Sequence, residues 1–170
     1  MIYFITGGER SGKSRHAQEL ALKLSSSPVY MATARKWDED FQKRIKRHQS
    51  ERDKRWTNIE EEKHISKLEL KNKVVVIDCI TLWLANFFAD TKHQVEESLS
   101  LAKTEFDKMK SMDGTFIFIS NEIGMGVHAE TETGRKFVEL HGWMNQHIAK
   151  HADEVILMVS GIPIKIKTSK

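Results

Sequence analysis

The chain has 170 residues, 39% of them hydrophobic and 30% charged, with a formal net charge of +3. This is an ordinary soluble balance, long enough for one domain with a real core, and no repeat or low-complexity tract interrupts it. The excess of cations is too small to select nucleic acid over an anionic small molecule.

Residues 2–6 form a short apolar run rich in strand formers. It leads into Gly7-Gly8-Glu9-Arg10-Ser11-Gly12-Lys13-Ser14, which fits G-x-x-x-x-G-K-[ST], and a helix is predicted over about 13–24. Ser25-Ser26-Ser27 breaks that helix, and Pro28 opens a second strand over 29–32. A charged helix is predicted over about 38–53, with Phe41, Ile45, His48 and Arg52 on one face. Residues 56–60 read as a connection or short strand, and 61–70 as a short helix. Residues 73–78 are the clearest strand, a continuous apolar run suited to a sheet covered on both faces. Helices over 80–89 and about 92–112 follow, then a strand over 115–120 and a loop over 121–126. A long helix over 132–151 has Gly134 and Gly142 as weak points. A strand over 154–159 is followed by a turn over 160–163 and an edge strand over 164–167. Strands alternating with helices imply an α/β fold: a mostly parallel sheet with helices on both faces and a C-terminal edge strand. Sites in such sheets lie at the carboxyl ends of the strands. Here those ends carry Thr6-Gly7, Ala32-Thr33, Asp78, Ser120-Asn121-Glu122 and Ser160-Gly161.

The strand–glycine loop–helix context is what a phosphate-binding loop needs. Gly7 and Gly12 let backbone N–H groups converge on phosphate oxygens, Lys13 supplies a point charge, and Ser14 offers a hydroxyl to Mg²⁺. Asp78, at the end of an apolar strand, stands where such folds place a carboxylate for Mg²⁺ or its water. Together these residues predict a nucleoside triphosphate with Mg²⁺ as ligand. On the predicted helix His48 is expected to face the protein, with Arg44 and Arg52 four residues to either side. Nearby cations keep an imidazole neutral, and a neutral imidazole can attack phosphorus. The spacing alone equally fits, and more often means, a histidine on a basic solvated face. The other histidines show no metal-ligand pattern. His147 and His151 lie i, i+4 but have no third ligand near in sequence and read as helix surface. Glu60 and Glu122, near strand ends, suit either a base or ribose contact or plain surface. Trp37, Trp56, Trp83 and Trp143 read as core more than as stacking platforms.

A single cysteine, Cys79, excludes an internal disulfide and points to a reducing compartment. No basic region precedes residues 2–6, so no signal peptide is expected, and the apolar segment 74–88 is broken by Asp78 and too short to span a bilayer. A cytoplasmic location is expected.

The order of segments resembles a known family. G-G-E-R-S-G-K-S-R-H-A, Y-M-A-T-A, R-I-K-R-H-Q, R-W-T-N-I-E, V-I-D-C-I-T-L-W-L, N-E-I-G-M-G and A-D-E-V-I-L-M-V-S-G-I-P-I-K-I-K follow one another along nearly the whole chain. They are similar to the bifunctional adenosylcobinamide kinase / adenosylcobinamide-phosphate guanylyltransferases of cobalamin biosynthesis. The resemblance implies a P-loop nucleoside triphosphate hydrolase-like fold and two reactions. A nucleoside triphosphate (ATP or GTP) phosphorylates adenosylcobinamide. A histidine then attacks the α-phosphate of GTP, and GMP passes to adenosylcobinamide phosphate to give adenosylcobinamide-GDP. By the same resemblance the nucleophile is His48, and Lys13 serves catalysis. The nucleotide-binding residues are Gly7, Gly8, Glu9, Arg10, Ser11, Gly12, Lys13, Ser14, Ala32, Thr33, Ala34, Gln49, Ser50, Glu51, Arg52, Glu60 and Asp78. Ser14 and Asp78 are the metal ligands, the cofactor is Mg²⁺, and the assembly is a homotrimer with neither nucleic acid nor membrane as partner. The chain departs from the family pattern at Arg47, where a second histidine is frequent, and at Val127-His128-Ala129. Because attack at the α- and γ-phosphates needs different placement, the 37–55 segment is expected to move between reactions. The competing readings are a single-function P-loop kinase and a nucleotide switch, the latter without an Asn-Lys-x-Asp guanine motif. A nucleic-acid module built on 44–55 is weakened by Glu51 and Asp53.

Overall fold

A computed structural model describes residues 1–35 and 53–168. The helix expected over 38–53 falls almost wholly outside the described residues, and His48, Gln49, Ser50, Glu51 and Arg52 with it. The described chain runs β1 (Ile2–Gly7), α1 (Lys13–Leu24), β2 (Val29–Ala32), β3 (Thr57–Glu60), a 3-10 turn (Ile65–Lys67), β4 (Lys73–Asp78), α2 (Ile80–Asp90), α3 (Val95–Lys110), β5 (Gly114–Asn121), α4 (Glu132–His151), β6 (Glu154–Val159) and β7 (Ile162–Lys167). The strands form one sheet in the order β3-β2-β4-β5-β1-β6-β7. All neighbours pair in parallel except β6 and β7.

Alternation along the strands splits the core into two layers. Tyr3, Ile5, Tyr30, Val76, Ile117, Ile119 and Ile156 pack on Ala17 and Ala21 of α1. Two alanines at i, i+4 let that helix lie close to the sheet. On the other face Phe4, Met31, Ile77, Phe116 and Phe118 meet Trp83 and Leu84 of α2, Phe106 of α3 and Leu140, Met144 and Ile148 of α4. Each such buried side chain contributes about 1.5–3 kcal/mol. Helices therefore cover both faces, as the sequence pattern implies.

Three boundaries and one side-chain reading differ most from the expectations. The helix expected over 61–70 is only the three-residue turn Ile65–Lys67. The carboxylate of Glu61 accepts the N–H groups of Lys63 and His64, bending the chain before a helix can start. The helix expected from 92 begins at Val95, because Lys92 and His93 hold φ of 51° and 66°, in the left-handed region. The turn expected over 160–163 is tighter. Ser160 and Gly161, at φ 49° and 85°, form a two-residue hairpin turn, and β7 already starts at Ile162. Pro163 sits within that strand, as an edge position allows. Finally, His147 and His151 do have a third potential ligand, Asp107 of α3, which only the folded chain brings to them.

Candidate functional site

β1 ends at the glycine loop, and the loop opens α1. Gly7 holds φ +151°, and a Cβ there would lie 2.5 Å from the Met158 carbonyl oxygen. Gly12 holds φ +95°, with the Cα of Gly161 3.3 Å from where its Cβ would be. No larger residue fits either position without displacing backbone. The β6–β7 turn braces the loop: the Gly161 N–H donates to the Ser11 carbonyl at 3.0 Å. Gly8, Glu9 and Arg10 form the exposed outer arc, with Arg10 in the left-handed region at φ 55°. The first helical hydrogen bond of α1 runs from the His16 N–H to the Gly12 carbonyl at 3.0 Å. The amides before it form the positive end of the helix dipole.

Lys13 is buried, 7% exposed, and its Nζ donates to the Gly8 carbonyl at 2.6 Å. Burial lowers its pKa, while the carboxylates of Asp78 and Glu9 act in the opposite direction. Asp78, at the end of β4, points to the α1 side of the sheet. Its Oδ2 accepts from the Ser14 hydroxyl at 2.9 Å and from the Tyr30 hydroxyl. Ser14 and Asp78 thus offer hard oxygen donors to a cation. Their 2.9 Å separation matches the about 2.9 Å between neighbouring oxygens around an octahedral Mg²⁺ with bonds of about 2.1 Å. The pair fits Mg²⁺.

Register extends this edge. Glu60, Ala32 and Asp78 lie side by side across β3, β2 and β4. Thr33 is fully buried; its N–H donates to the Asp78 carbonyl at 3.1 Å and its hydroxyl to the Cys79 carbonyl at 2.8 Å. Asn86 of α2 donates to the Thr33 and Glu62 carbonyls at 2.8 and 2.9 Å. Ala34 is half-buried, and next to it Arg35 pairs with Glu62 at 2.7 Å and Asp90 at 2.8 Å. Hydrogen bonds from Arg35 and Lys63 hold the Asp90 carboxyl well below the usual carboxylate range. The segment leading into residue 36 is thereby anchored to α2. The Cys79 thiol, fully buried, is pushed up to about 12 by desolvation and stays protonated.

The sequence reading did not single out Tyr30 or a buried network under the end of β5. His141 of α4, 1% exposed, lies 3.0 Å from the Thr81 hydroxyl and 3.2 Å from that of Ser120. Ser120 donates to Asn145 Oδ1 at 2.8 Å, and the Asn121 N–H donates to Thr81 Oγ1 at 3.1 Å. Desolvation drives the His141 pKa down to about 4, so the ring is neutral. The i, i+4 spacing of His141 and Asn145 was visible in the sequence, but their partners on β5 and α2 were not. Glu122 turns back on its own loop, its carboxylate accepting from the Gly124 N–H at 2.8 Å.

The sequence model of one family, described as cobinamide kinase / cobinamide phosphate guanyltransferase, matches residues 3–166. The chain belongs to this family. Among the cobinamide kinase / guanyltransferases similar to it is the bifunctional adenosylcobalamin biosynthesis protein CobU of Escherichia coli K12. That relative is 33% identical, over 98% of this chain and 100% of its own length. The corresponding protein CobP of Pseudomonas aeruginosa is 34% identical over 96% of this chain and 95% of its own. Among solved structures, a Pyrococcus horikoshii protein covers 99% of this chain and 87% of its own with a TM-score of 0.51 at 10% identity, a likeness of fold alone. A cobinamide kinase / guanyltransferase on a P-loop NTPase-like sheet is accordingly an enzyme of that double class. No helix among the described residues is long and apolar enough to cross a membrane.

Proposed function

We propose that this enzyme uses the carboxyl edge of its sheet for both reactions: phosphorylation of adenosylcobinamide by a nucleoside triphosphate, then transfer of GMP from GTP to adenosylcobinamide phosphate through His48. The observation that carries the reading is the convergence of Lys13, Ser14 and Asp78 at the ends of β1 and β4, in a chain matched to the family over residues 3–166.

In the kinase step the loop amides of 7–14 and the positive end of α1 bind the phosphates. The Lys13 ammonium opposes charge developing on the transferred group. Ser14 and Asp78 would hold Mg²⁺, which when bound neutralises phosphate charge. Tyr30 keeps the Asp78 carboxylate turned toward Ser14. Ala32, Thr33, Ala34 and Glu60 bound the nucleotide on the β2–β3 side, with Gln49, Ser50, Glu51 and Arg52 from the segment that carries His48. In the transfer step a lone pair on the His48 imidazole attacks the α-phosphorus of GTP. The bond to the β-phosphate oxygen breaks and pyrophosphate leaves with the electron pair. A phosphate oxygen of adenosylcobinamide phosphate then attacks the same phosphorus, the P–N bond breaks, and His48 returns as a neutral ring. The protein acts as one catalytic domain, as its length suggests, in the reducing cytoplasm that its single cysteine suggests; that it assembles as a homotrimer rests on the family resemblance alone.

Mass spectrometry after incubation with GTP and Mg²⁺, without corrinoid, tests the transfer step. An acid-labile GMP adduct on His48 is the expected result. A protein that binds GTP yet stays unmodified would leave a single-function kinase as the reading.

A further inference from the structure

We propose that Asp107, His147 and His151 bind a divalent transition-metal ion, zinc or a neighbour of it, that ties α3 to α4 at the end of the sheet remote from the phosphate loop. His147 and His151 occupy the last turn of α4 at i, i+4, so their rings lie side by side with centroids 4.6 Å apart. Asp107 occupies the last turn of α3 and faces them. One donor atom from each of the three lies within 4.8 Å of the others. One edge, His147 Nε2 to Asp107 Oδ1, is 3.5 Å. Donors in a tetrahedral zinc site, with bonds of about 2.0–2.2 Å, stand about 3.3–3.5 Å apart. Only the longer edges need to contract.

Two further observations point to a ligand. His147 Nε2 is buried, and the Asp107 carboxylate, 3.5 Å away, is too distant and poorly aligned to complete a hydrogen bond with it. A metal between the two groups would satisfy both the imidazole nitrogen and the carboxylate, which their present separation leaves weakly paired. His151 Nδ1 lies 2.9 Å from the His147 carbonyl oxygen. A carbonyl only accepts, so Nδ1 carries the proton and Nε2 keeps a free lone pair, the arrangement that metal-binding histidines use. Phe106 fixes both rings from one side, edge-on to His147 with centroids at 5.5 Å and tilted to His151 at 6.1 Å. Lys110 Nζ stands 3.3 Å from Asp107 Oδ1 and orients the carboxylate.

The donor set selects the ion. Two imidazoles with one carboxylate suit zinc, cobalt or nickel, whereas Mg²⁺ and Ca²⁺ prefer oxygen alone. The Asp107 side chain is 49% exposed, which leaves an open side for a water molecule as fourth ligand. A shallow groove of about 620 Å³ between α3 and α4, lined by Lys103, Trp143 and Lys150 among others, runs along His147. The site is far from the nucleotide edge: His151 precedes β6 by three residues, at the amino end of strands whose six residues span about 20 Å.

The test uses nucleotide-free protein, with zinc partitioned between it and a chromophoric chelator. Zinc retained by the wild-type protein should be weakened at least about tenfold in each of His147→Gln, His151→Ala and Asp107→Asn. Zinc, but not Mg²⁺, should raise the melting temperature of the wild type and not of the variants. Asp107 is exposed, so Asp107→Asn keeps the test decisive if a histidine variant fails to fold. Zinc affinity unchanged by Asp107→Asn, or no zinc held by the wild type against the chelator, would overturn the proposal. Neither result bears on guanylyl transfer, which is read separately.

Discussion

The two ends of the sheet are built in opposite ways. At the carboxyl end, eight consecutive residues, Gly7 to Ser14, make the loop, and one distant carboxylate, Asp78, meets it at 2.9 Å. At the amino end, Asp107 and the pair His147 and His151 come from two helices that touch only because Phe106, Leu140, Met144 and Ile148 share one core. The first site is dictated by local backbone chemistry and the second by tertiary packing. A contiguous site leaves a motif in the sequence; an assembled one leaves only scattered residues that look like ordinary helix surface.

The comparison can be broken most easily at Lys13. Lys13→Ala removes the buried charge from the phosphate side, and steady-state kinetics should show kcat/KM for nucleotide falling about 100- to 1000-fold, with melting temperature nearly unchanged. Gly7→Ala is the reverse case, a loop substitution that acts through the fold. Its Cβ would meet the Met158 carbonyl oxygen at 2.5 Å, and denaturant unfolding should register a loss of about 3 kcal/mol. The pH dependence of stability sharpens the contrast further. Folded His141 stays neutral down to about pH 4, while the unfolded chain takes up the proton near 6.5. Its contribution is therefore complete above pH 6.5 and lost as pH falls from there toward 4, by roughly 3 kcal/mol. Urea titrations of His141→Gln should show a shallower loss over that window. Some slope should remain, since burial lowers His147 in the same direction. The smallest effect is expected from Tyr30→Phe, which deletes one hydrogen bond to Asp78. It should cost about 1 kcal/mol of stability and a few-fold in KM at limiting Mg²⁺.

Legibility followed the same division. β4 and β6 run over the residues their apolar runs indicated, because a strand buried on both faces has few alternatives. α4 spans Glu132–His151 as read; the cost of Gly142, about 1 kcal/mol of helix propensity, is offset by burial of Leu140, Met144 and Ile148 in the core. The start of α3 was misplaced because left-handed φ at Lys92 and His93 leaves no mark in residue type. The glycine loop and a carboxylate at the end of an apolar strand were readable from spacing and position, and the structure brings Asp78 to Ser14. Tyr30 was not, since its role depends on β2 lying beside β4, a pairing that sequence order hides. Asp107 was invisible as a ligand for the same reason: only packing of α3 on α4 makes it the neighbour of His147.

The most direct test of the account is a pair of assays on His48→Asn. One follows phosphorylation of adenosylcobinamide and the other transfer of GMP to adenosylcobinamide phosphate. The account predicts that transfer is abolished while phosphorylation stays within a few-fold of wild type. Transfer that survives the substitution would contradict it, as would loss of both activities in a protein that still folds and binds nucleotide.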